Sequence, residues 1–154
     1  MHPPSPALID FIGGHHDITI AVDRRTTILA ASPAATAAWP SFRAGQNIAR
    51  TVFLDPELDG IVEDLPDAIA QTVSLLREGL AAGEPDATDI TFLGELMSRS
   101  SVFARLWATP EPLRETGTLQ TVEADSSWTH YRYVLSAWAT EPGVRILTWK
   151  PTPP

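Results

Sequence analysis

The stretch "DITIAVDRRTTILAASPAATAAW", residues 17–39, decides how the chain folds at its start. Apolar side chains alternate at Ile18, Ile20 and Val22, and the apolar pattern resumes at Ile28 after a short charged turn. Strict alternation over a few residues is typical of a half-buried β-strand, and two such runs joined by a polar turn predict a hairpin. The fold therefore opens with two antiparallel strands.

Helices are predicted after this hairpin. Ser32 and Pro33 have the form of an N-cap and a first helical residue, which predicts a short helix that ends at Pro40. Apolar spacing and helix terminators predict further helices over residues 46–54, 66–82, 88–98 and 100–108. In the last two of these helices, the residues expected to face inward are Ile90, Leu93, Leu96, Met97, Phe103, Leu106 and Trp107.

The pattern changes to that of strands after Pro112. Residues 115–124, 127–140 and 143–151 are rich in Thr, Val, Tyr and Trp and are separated by turn residues, which predicts three antiparallel strands. The predicted fold class is therefore α+β, with a five-stranded antiparallel sheet and helices that are inserted between strands 2 and 3 and packed on one face.

Length and composition fit one soluble globular domain. The chain has 154 residues, of which 44% are hydrophobic and 19% charged. No apolar run approaches the roughly 20 residues of a membrane-spanning helix. We expect one domain over residues 17–150, between a mobile N-terminal segment, 1–16, and a mobile tail, 151–154. Because the N-terminal sequence lacks the features of a signal peptide, a cytoplasmic location is expected.

Charge and residue usage exclude several function classes. The net charge is -8, with 11 basic residues against 19 acidic ones, which disfavours direct nucleic-acid binding because such binding needs Lys and Arg facing phosphates. The chain has no cysteine, so disulfides, thiolate zinc sites and a thiol nucleophile are excluded. The run His15, His16 and Asp17 lacks the partner spacing that would complete a metal site, and we predict no metal and no cofactor.

Three later segments, taken in order, resemble a known family. They are "NIARTVFLDP" (47–56), "AIAQTVSLLREGLAAG" (68–83) and "FLGELMSRSSVFARLWA" (92–108). Together with the opening hairpin and short helix, which resemble the start of a PAS domain, they are similar to the ligand-binding domain of MmyB-like transcription regulators. The resemblance runs from about Thr19 to about Thr148. It implies a PAS-like fold with extra helices that encloses a fatty-acid-like ligand.

The chain departs from this family in two places. Family members usually carry an N-terminal helix-turn-helix domain, whereas only the short segment 1–16 precedes the first predicted strand here, so we expect no DNA reader in this chain. Family members also tend to have a His-Pro pair and a glycine before the penultimate strand, where this chain has "EADSSWTHY", residues 123–131. The pocket mouth or the ligand is therefore expected to differ there.

The segment 47–56 places polar and apolar side chains side by side. If it is helical, Asn47 and Arg50 lie on one face and can present an amide and a guanidinium to a ligand carboxylate. The alternative is that Asn47 caps the helix and Arg50 pairs with Asp55 or Glu57. The full set of candidate ligand-binding residues is Asn47, Arg50, Phe53, Leu76, Phe103 and Trp107.

Two functions stay open at this point, beside a purely structural interaction domain with a filled core. The resemblance implies a sensor domain that holds a small amphipathic, mostly apolar ligand, such as a fatty acid or a specialised metabolite. The short segment before the first strand predicts that it stands alone, and we expect a homodimer or a separate regulator as its partner. The alternative is a cyclase or isomerase that uses the same cavity with one acid or base. Its candidate groups are His130, Tyr131, Asp125 and Glu123. Strand alternation puts His130 and Tyr131 on opposite faces, and the sequence does not decide which face lines the pocket.

Overall fold

The computed structural model describes residues 3–56, 66–122 and 127–153. Among these residues the helices are α1 (Pro6–Gly13), α2 (Pro33–Ala38), α3 (Ile48–Leu54), α4 (Pro66–Ala81), α5 (Ala87–Arg99) and α6 (Ser101–Trp107). The strands are β1 (Ile18–Val22), β2 (Ile28–Ala31), β3 (Thr116–Val122), β4 (Trp128–Ala137) and β5 (Arg145–Thr152). The chain divides into a sheet unit, Met1–Asp23, Ile28–Gln46 and Arg114–Pro154, and a helical unit, Arg24–Thr27 and Asn47–Leu113.

The sheet unit is built on antiparallel strands in the order β2-β1-β5-β4-β3. β1 pairs with β2 in the predicted hairpin and with β5 on its other side. β4 pairs with both β5 and β3, and β3 forms an edge of the sheet. The predicted α+β class with a five-stranded antiparallel sheet is confirmed.

Helix α1 lies in the segment that the sequence predicts to be mobile. Ser5 caps it, because its Oγ accepts a hydrogen bond from the amide of Leu8 at 3.2 Å, and Pro6 occupies the first turn. Leu8 and Ile12 are fully buried. They pack against an apolar cluster formed by Ala21, Ala30, Val144 and Ile146. These two buried side chains hold the segment in place, so the expectation of a mobile approach is corrected for Pro6–Gly13.

Helix α2 begins as predicted, at a buried serine. The Oγ of Ser32 accepts hydrogen bonds from the amides of Ala35 at 3.2 Å and Thr19 at 3.0 Å, and it donates to the carbonyl of Asp17 at 2.8 Å. One hydroxyl therefore caps the helix and also joins its first turn to the chain entering β1. This use of a buried hydroxyl leaves none of its capacity unsatisfied.

Helices α3, α4, α5 and α6 surround the core of the helical unit. Its buried members are Ala49, Phe53, Ile69, Val73, Leu76, Phe92, Leu96 and Phe103. Asn47, Asp86 and Ser100 are the N-caps of α3, α5 and α6, and each side chain accepts a backbone amide of the first turn. Because helix N-termini otherwise leave amides without acceptors, these caps fix where the helices begin.

The inward face of α5 differs from the one that the sequence predicts. Ile90 and Met97 were expected inside, but they are 63% and 39% exposed. Leu96 is buried as predicted and Leu93 is partly buried against the core, while Asp89 and Phe92 are buried positions that the sequence did not predict. The apolar spacing missed Asp89 because hydropathy counts a carboxylate as polar, although this one occupies the inner face of the first turn.

Asp89 is buried because two arginines reach it from the turn Arg24–Thr27. The Nη2 of Arg24 lies 2.6 Å from Asp89 Oδ2, and the Nε of Arg25 lies 2.5 Å from Asp89 Oδ1. Burial acts to raise the pKa of the Asp89 carboxyl, but hydrogen bonds from Arg25, the Asp86 backbone and Arg24 outweigh it and hold that pKa below its usual value. The turn also needs Gly79 on α4, because a Cβ there would lie 2.2 Å from the Arg24 carbonyl oxygen.

Candidate functional site

Asn47 uses its whole side chain inside the protein. Its Oδ1 accepts the backbone amide of Arg50 at 3.1 Å and the hydroxyl of Thr26 at 3.3 Å. Its Nδ2 donates to the carbonyl of Arg25 at 2.7 Å and to Thr27 Oγ1 at 3.0 Å. An amide has two donor hydrogens and one acceptor oxygen, so no donor of Asn47 is left for a ligand. The residue caps α3 and holds the turn beside it.

Arg50 presents its guanidinium at the edge of the helical core. Its Nη1 lies 2.5 Å from Glu95 Oε1, and its central carbon lies 5.1 Å from the centre of the Phe92 ring. The partner is therefore Glu95 on α5 rather than Asp55, and Glu57 lies outside the described residues. Half of this side chain remains exposed. The geometry is that of a cation stacked on an aromatic face with one donor edge directed at a carboxylate.

Glu95 receives a second guanidinium from its own helix. The Nη1 of Arg99, one turn further along α5, lies 3.0 Å from the same Oε1. The hydrogen bond from Arg50 is the main cause that lowers the pKa of Glu95 below its usual value, and the bond from Arg99 acts in the same direction. A single carboxylate oxygen thus sits between two arginines at a partly exposed position.

The apolar candidates come together in the core next to this ion pair. Phe53, Leu76 and Phe103 are all buried. The rings of Phe53 and Phe103 meet edge to face with centroids 5.2 Å apart, and Phe103 stacks on Trp107 at 5.7 Å. Edge-to-face and offset aromatic pairs at these distances add to the stabilisation from burial. The sequence correctly grouped these residues on the inner faces of their helices.

Arg77 on α4 packs against the protein interior, which is unusual for an arginine. Its guanidinium carbon lies 4.1 Å from the centre of the Trp107 ring, and its Nη2 donates to the Trp107 carbonyl. Its Nε is buried without a hydrogen-bond partner among the residues that the structure describes. The signal in the sequence is its spacing, since Arg77 follows Val73 by one helical turn and so falls on the buried stripe. It packs as a mostly apolar side chain with a polar tip.

Strand β4 resolves which face of the sheet carries the phenols. Tyr131 and Tyr133 are buried, whereas Arg132 on the opposite face is exposed and His130 is half-buried. The ring of Tyr131 meets Trp39 edge to face at 5.5 Å. His130 and Tyr131 therefore lie on opposite sides of the sheet and cannot act on one bound molecule together. The other candidate acids, Glu123 and Asp125, lie outside the described residues.

A glycine of β3 makes room for one of these phenols. Gly117 pairs with Tyr133 across the strands, and a Cβ at this position would lie 2.5 Å from the Tyr133 ring. Real Cβ atoms do not approach an aromatic ring so closely, so any larger residue would displace the tyrosine. The glycine thus fixes the position of Tyr133 on the buried face.

The described residues contain neither a metal-binding cluster nor a membrane-spanning helix. Within residues 3–56, 66–122 and 127–153, His, Asp and Glu form no group of three that could hold a metal ion. His15 instead places Nδ1 at 2.7 Å from the carbonyl of Phe11 and packs its ring on that side chain. None of the helices in this part of the chain has the length and apolar character needed to cross a bilayer.

Comparison with known proteins gives distant structural likenesses. The chain is similar to the PAS domain of a Desulfitobacterium hafniense protein, at 13% identity over 93% of this chain and 99% of that one, with a TM-score of 0.39. It is similar to the PAS domain of an HTR-like protein from Haloarcula marismortui, at 14% identity over 95% and 89%, with a TM-score of 0.42. It is also similar to the PAS domain of BvgS from Bordetella pertussis, at 10% identity over 96% of this chain and 85% of that one, with a TM-score of 0.43.

The family of the chain is shown by its sequence rather than by these structural likenesses. No curated protein matches the chain significantly. A family model, however, covers nearly its whole length and includes α1, which lies before the region of resemblance seen in the sequence. Residues 5–152 match the MmyB-like transcription regulator ligand binding domain, and the chain therefore belongs to that family of ligand-binding domains.

Proposed function

We propose that this chain is a sensor domain that holds one small, mostly apolar ligand with a carboxylate head, such as a fatty acid or an acidic specialised metabolite. One observation carries the proposal. In the helical unit, the guanidiniums of Arg50 and Arg99 converge on a single carboxylate oxygen of Glu95, directly beside an aromatic core. A charged head and an apolar body would each find a matching surface there.

Glu95 is the internal counterpart of the proposed head group. A ligand carboxylate has the same charge and oxygen geometry as the Glu95 side chain, so it can take that side chain's place on Arg50. Glu95 would keep Arg99, which is on its own helix and hydrogen-bonded to it already. The exchange therefore leaves no carboxylate without a cationic partner, which limits its cost.

The apolar body of the ligand has a surface next to Arg50. Val52, Leu54 and Leu93 are only partly buried, and all three pack against the buried core. Phe92, under the Arg50 guanidinium, belongs to that same core. An acyl chain lying along these side chains would remove apolar surface from water, which contributes about 25 cal/mol for each Å² buried.

Asn47 has a supporting role in this proposal. Its amide is fully engaged within the protein, and its Oδ1 accepts the backbone amide of Arg50. Asn47 therefore sets the first turn of α3, and through it the position of Arg50, without touching the ligand. The predicted pair of anchors becomes one anchor and one positioning residue.

The sensor would pass its state to another protein. The family description names transcription regulators, and we propose that this domain acts with a separate regulator or as a homodimer in the cytoplasm. A ligand that moves Glu95 changes α5, which carries both Glu95 and Arg99. The rearrangement of this helix is the change that a partner could read.

The proposal is tested with matched ligands. Purified protein is analysed by native mass spectrometry, and its thermal unfolding is followed with fatty acids of increasing chain length and with the fatty alcohols of the same lengths. We expect the acids to raise the melting temperature more than the alcohols, because binding to the folded state alone stabilises it by mass action. If acids and alcohols shift the melting temperature equally, Arg50 does not anchor a carboxylate. If neither series yields a bound species, the proposal is refuted.

A further inference from the structure

One face of the sheet carries two cations on neighbouring strands, directly opposite each other. The register of β3, β4 and β5 aligns Thr118, Arg132 and Lys150 directly across the strands. Arg132 and Lys150 are both exposed. This is the face opposite to Tyr131 and Tyr133, and nothing in the ligand proposal uses it.

Arg132, unlike Lys150, has no carboxylate partner within the described chain. Lys150 Nζ lies 3.7 Å from Asp17 Oδ2, an exposed contact at the margin of the sheet. No residue in 3–56, 66–122 or 127–153 forms an ion pair with Arg132. Like charges placed directly opposite each other on neighbouring strands are destabilising. In a chain with a net charge of -8, an exposed arginine placed opposite a lysine, with only one exposed carboxylate contact between the two cations, is a candidate site for an anion from outside the chain.

Apolar side chains flank this pair on the same face. Trp128, 54% exposed, and Val134, 45% exposed, lie on the same face of β4, at either end of the row that His130 and Arg132 continue. An exposed tryptophan and an exposed arginine on one face of a strand are residue types that are enriched at protein interfaces. At the other end of the sheet, by contrast, Ile146 is covered by α1.

We propose that this cationic face, defined by Trp128, His130, Arg132, Val134 and Lys150, docks an acidic segment of a partner protein. A carboxylate of that segment bridges Arg132 and Lys150, and apolar side chains on either side of it pack on Trp128 and Val134. Charge complementarity selects the partner's chemistry, since two neighbouring cations attract an anion that a single one would hold only weakly. The docking is independent of the ligand proposed for the helical unit.

The test uses a defined peptide. A synthetic peptide of alternating Glu and Leu is titrated into the ¹⁵N-labelled protein, with a peptide of alternating Lys and Leu as the charge control. We expect the acidic peptide to shift the amide signals of β3, β4 and β5 and the basic peptide to leave them unchanged. Raising the salt concentration should weaken the acidic peptide because exposed charges are screened.

Variants separate this face from general charge attraction. Arg132→Gln and Lys150→Gln should each weaken peptide binding about two- to fivefold, the range for an exposed ion pair, whereas Arg105→Gln on α6 loses the same charge elsewhere and should not change it. Arg132→Gln should also raise the melting temperature slightly, because it removes the repulsion from Lys150. If Arg132 had no role in docking, its replacement would raise the melting temperature without lowering the affinity for the acidic peptide.

Three results would overturn the inference. The first is unchanged peptide affinity in a folded Arg132→Gln/Lys150→Gln double variant. The second is an equal loss of affinity in Arg105→Gln, which would mean that any cation serves. The third is the absence of peptide binding together with binding to vesicles of anionic phospholipid that depends on Arg132, which would assign the face to a membrane surface instead.

Discussion

Two carboxylates in the helical unit each accept two guanidiniums, but they differ in burial. Asp89 is 1% exposed and receives Arg24 and Arg25 from the turn, while Glu95, six residues further along α5, is 26% exposed and receives Arg50 and Arg99. The pKa of each carboxyl is lowered by its arginines. Charge chemistry alone therefore does not distinguish the two clusters.

The difference teaches which cluster can change partners. Asp89 also belongs to a capping box, in which its side chain accepts the backbone amide of Asp86 at 3.0 Å and its own amide donates to Asp86 Oδ1 at 2.8 Å. Moving it would leave cations and a helix end without their acceptors in a buried place. Glu95 is partly exposed, and in the proposed function it turns toward water and leaves its place on Arg50 to the ligand.

The largest effect is expected for Asp89→Ala. Because breaking a buried pair leaves charges without a counterion, we expect the free energy of unfolding to fall by about 3 kcal/mol. Chemical denaturation followed by circular dichroism measures this change. Asp86→Ala is the matched control, since it removes the more exposed carboxylate of the same capping box and should cost about 1 kcal/mol, the usual value of an N-cap. Equal losses in the two variants would break the distinction drawn from burial.

Acid should erase the advantage that Asp89 gives. Its pKa is held below the usual value in the folded protein, so its contribution to stability is present above the unfolded pKa and is lost as the pH falls through the folded pKa. We therefore expect the stability difference between the natural chain and Asp89→Asn to be constant near neutral pH and to shrink below about pH 4. Unfolding measured across this pH range in both proteins checks the sign, and a difference that grows with acid would contradict it.

Local rules predicted most of the fold, and long-range contacts account for what they missed. The N-cap at Ser32 and the apolar face of α4 depend on neighbours within a few residues, and both predictions were confirmed. Helix α1 has the same Ser-Pro start, but the surrounding prolines made it resemble a mobile end. On α5, Leu96 was placed correctly and Ile90 and Met97 wrongly. Asp89 was missed because the arginines that bury it lie more than sixty positions away in sequence.

The candidate site shows the same limit. The sequence placed Asn47 as a helix cap or a ligand contact, and the cap is what its bonds to Arg50 and the turn favour. It offered partners for Arg50 only from its own segment, whereas the ion pair reaches Glu95 on α5, 45 residues away. Ion pairs between helices depend on how those helices pack, and no local spacing encodes that.

Arg50→Ala should weaken carboxylate binding and leave the fold intact. The loss of a hydrogen bond to a charged group corresponds to about 2 kcal/mol of binding free energy. Stability should change less, because Arg50 is half exposed and exposed ion pairs contribute about 1 kcal/mol or less. Calorimetric titration with the fatty acid that binds best measures the affinity. Arg105→Ala, an exposed arginine on α6, is the control, and an equal loss of affinity in both variants would return Arg50 to the role of a surface charge.

The smallest effect, and the sharpest test of exchange, is expected for Glu95→Gln. The substitution keeps the shape of the side chain but removes the charge that competes for Arg50, so a fatty acid should bind about threefold more tightly. Stability should change little, because the lost ion pairs are partly exposed. The corresponding alcohol should bind equally well to both proteins, since it carries no charge. Calorimetric titrations of acid and alcohol into the two proteins measure this contrast directly. If the acid binds Glu95→Gln more weakly, Glu95 supports the site rather than occupying it, and the two clusters of α5 are alike in being fixed.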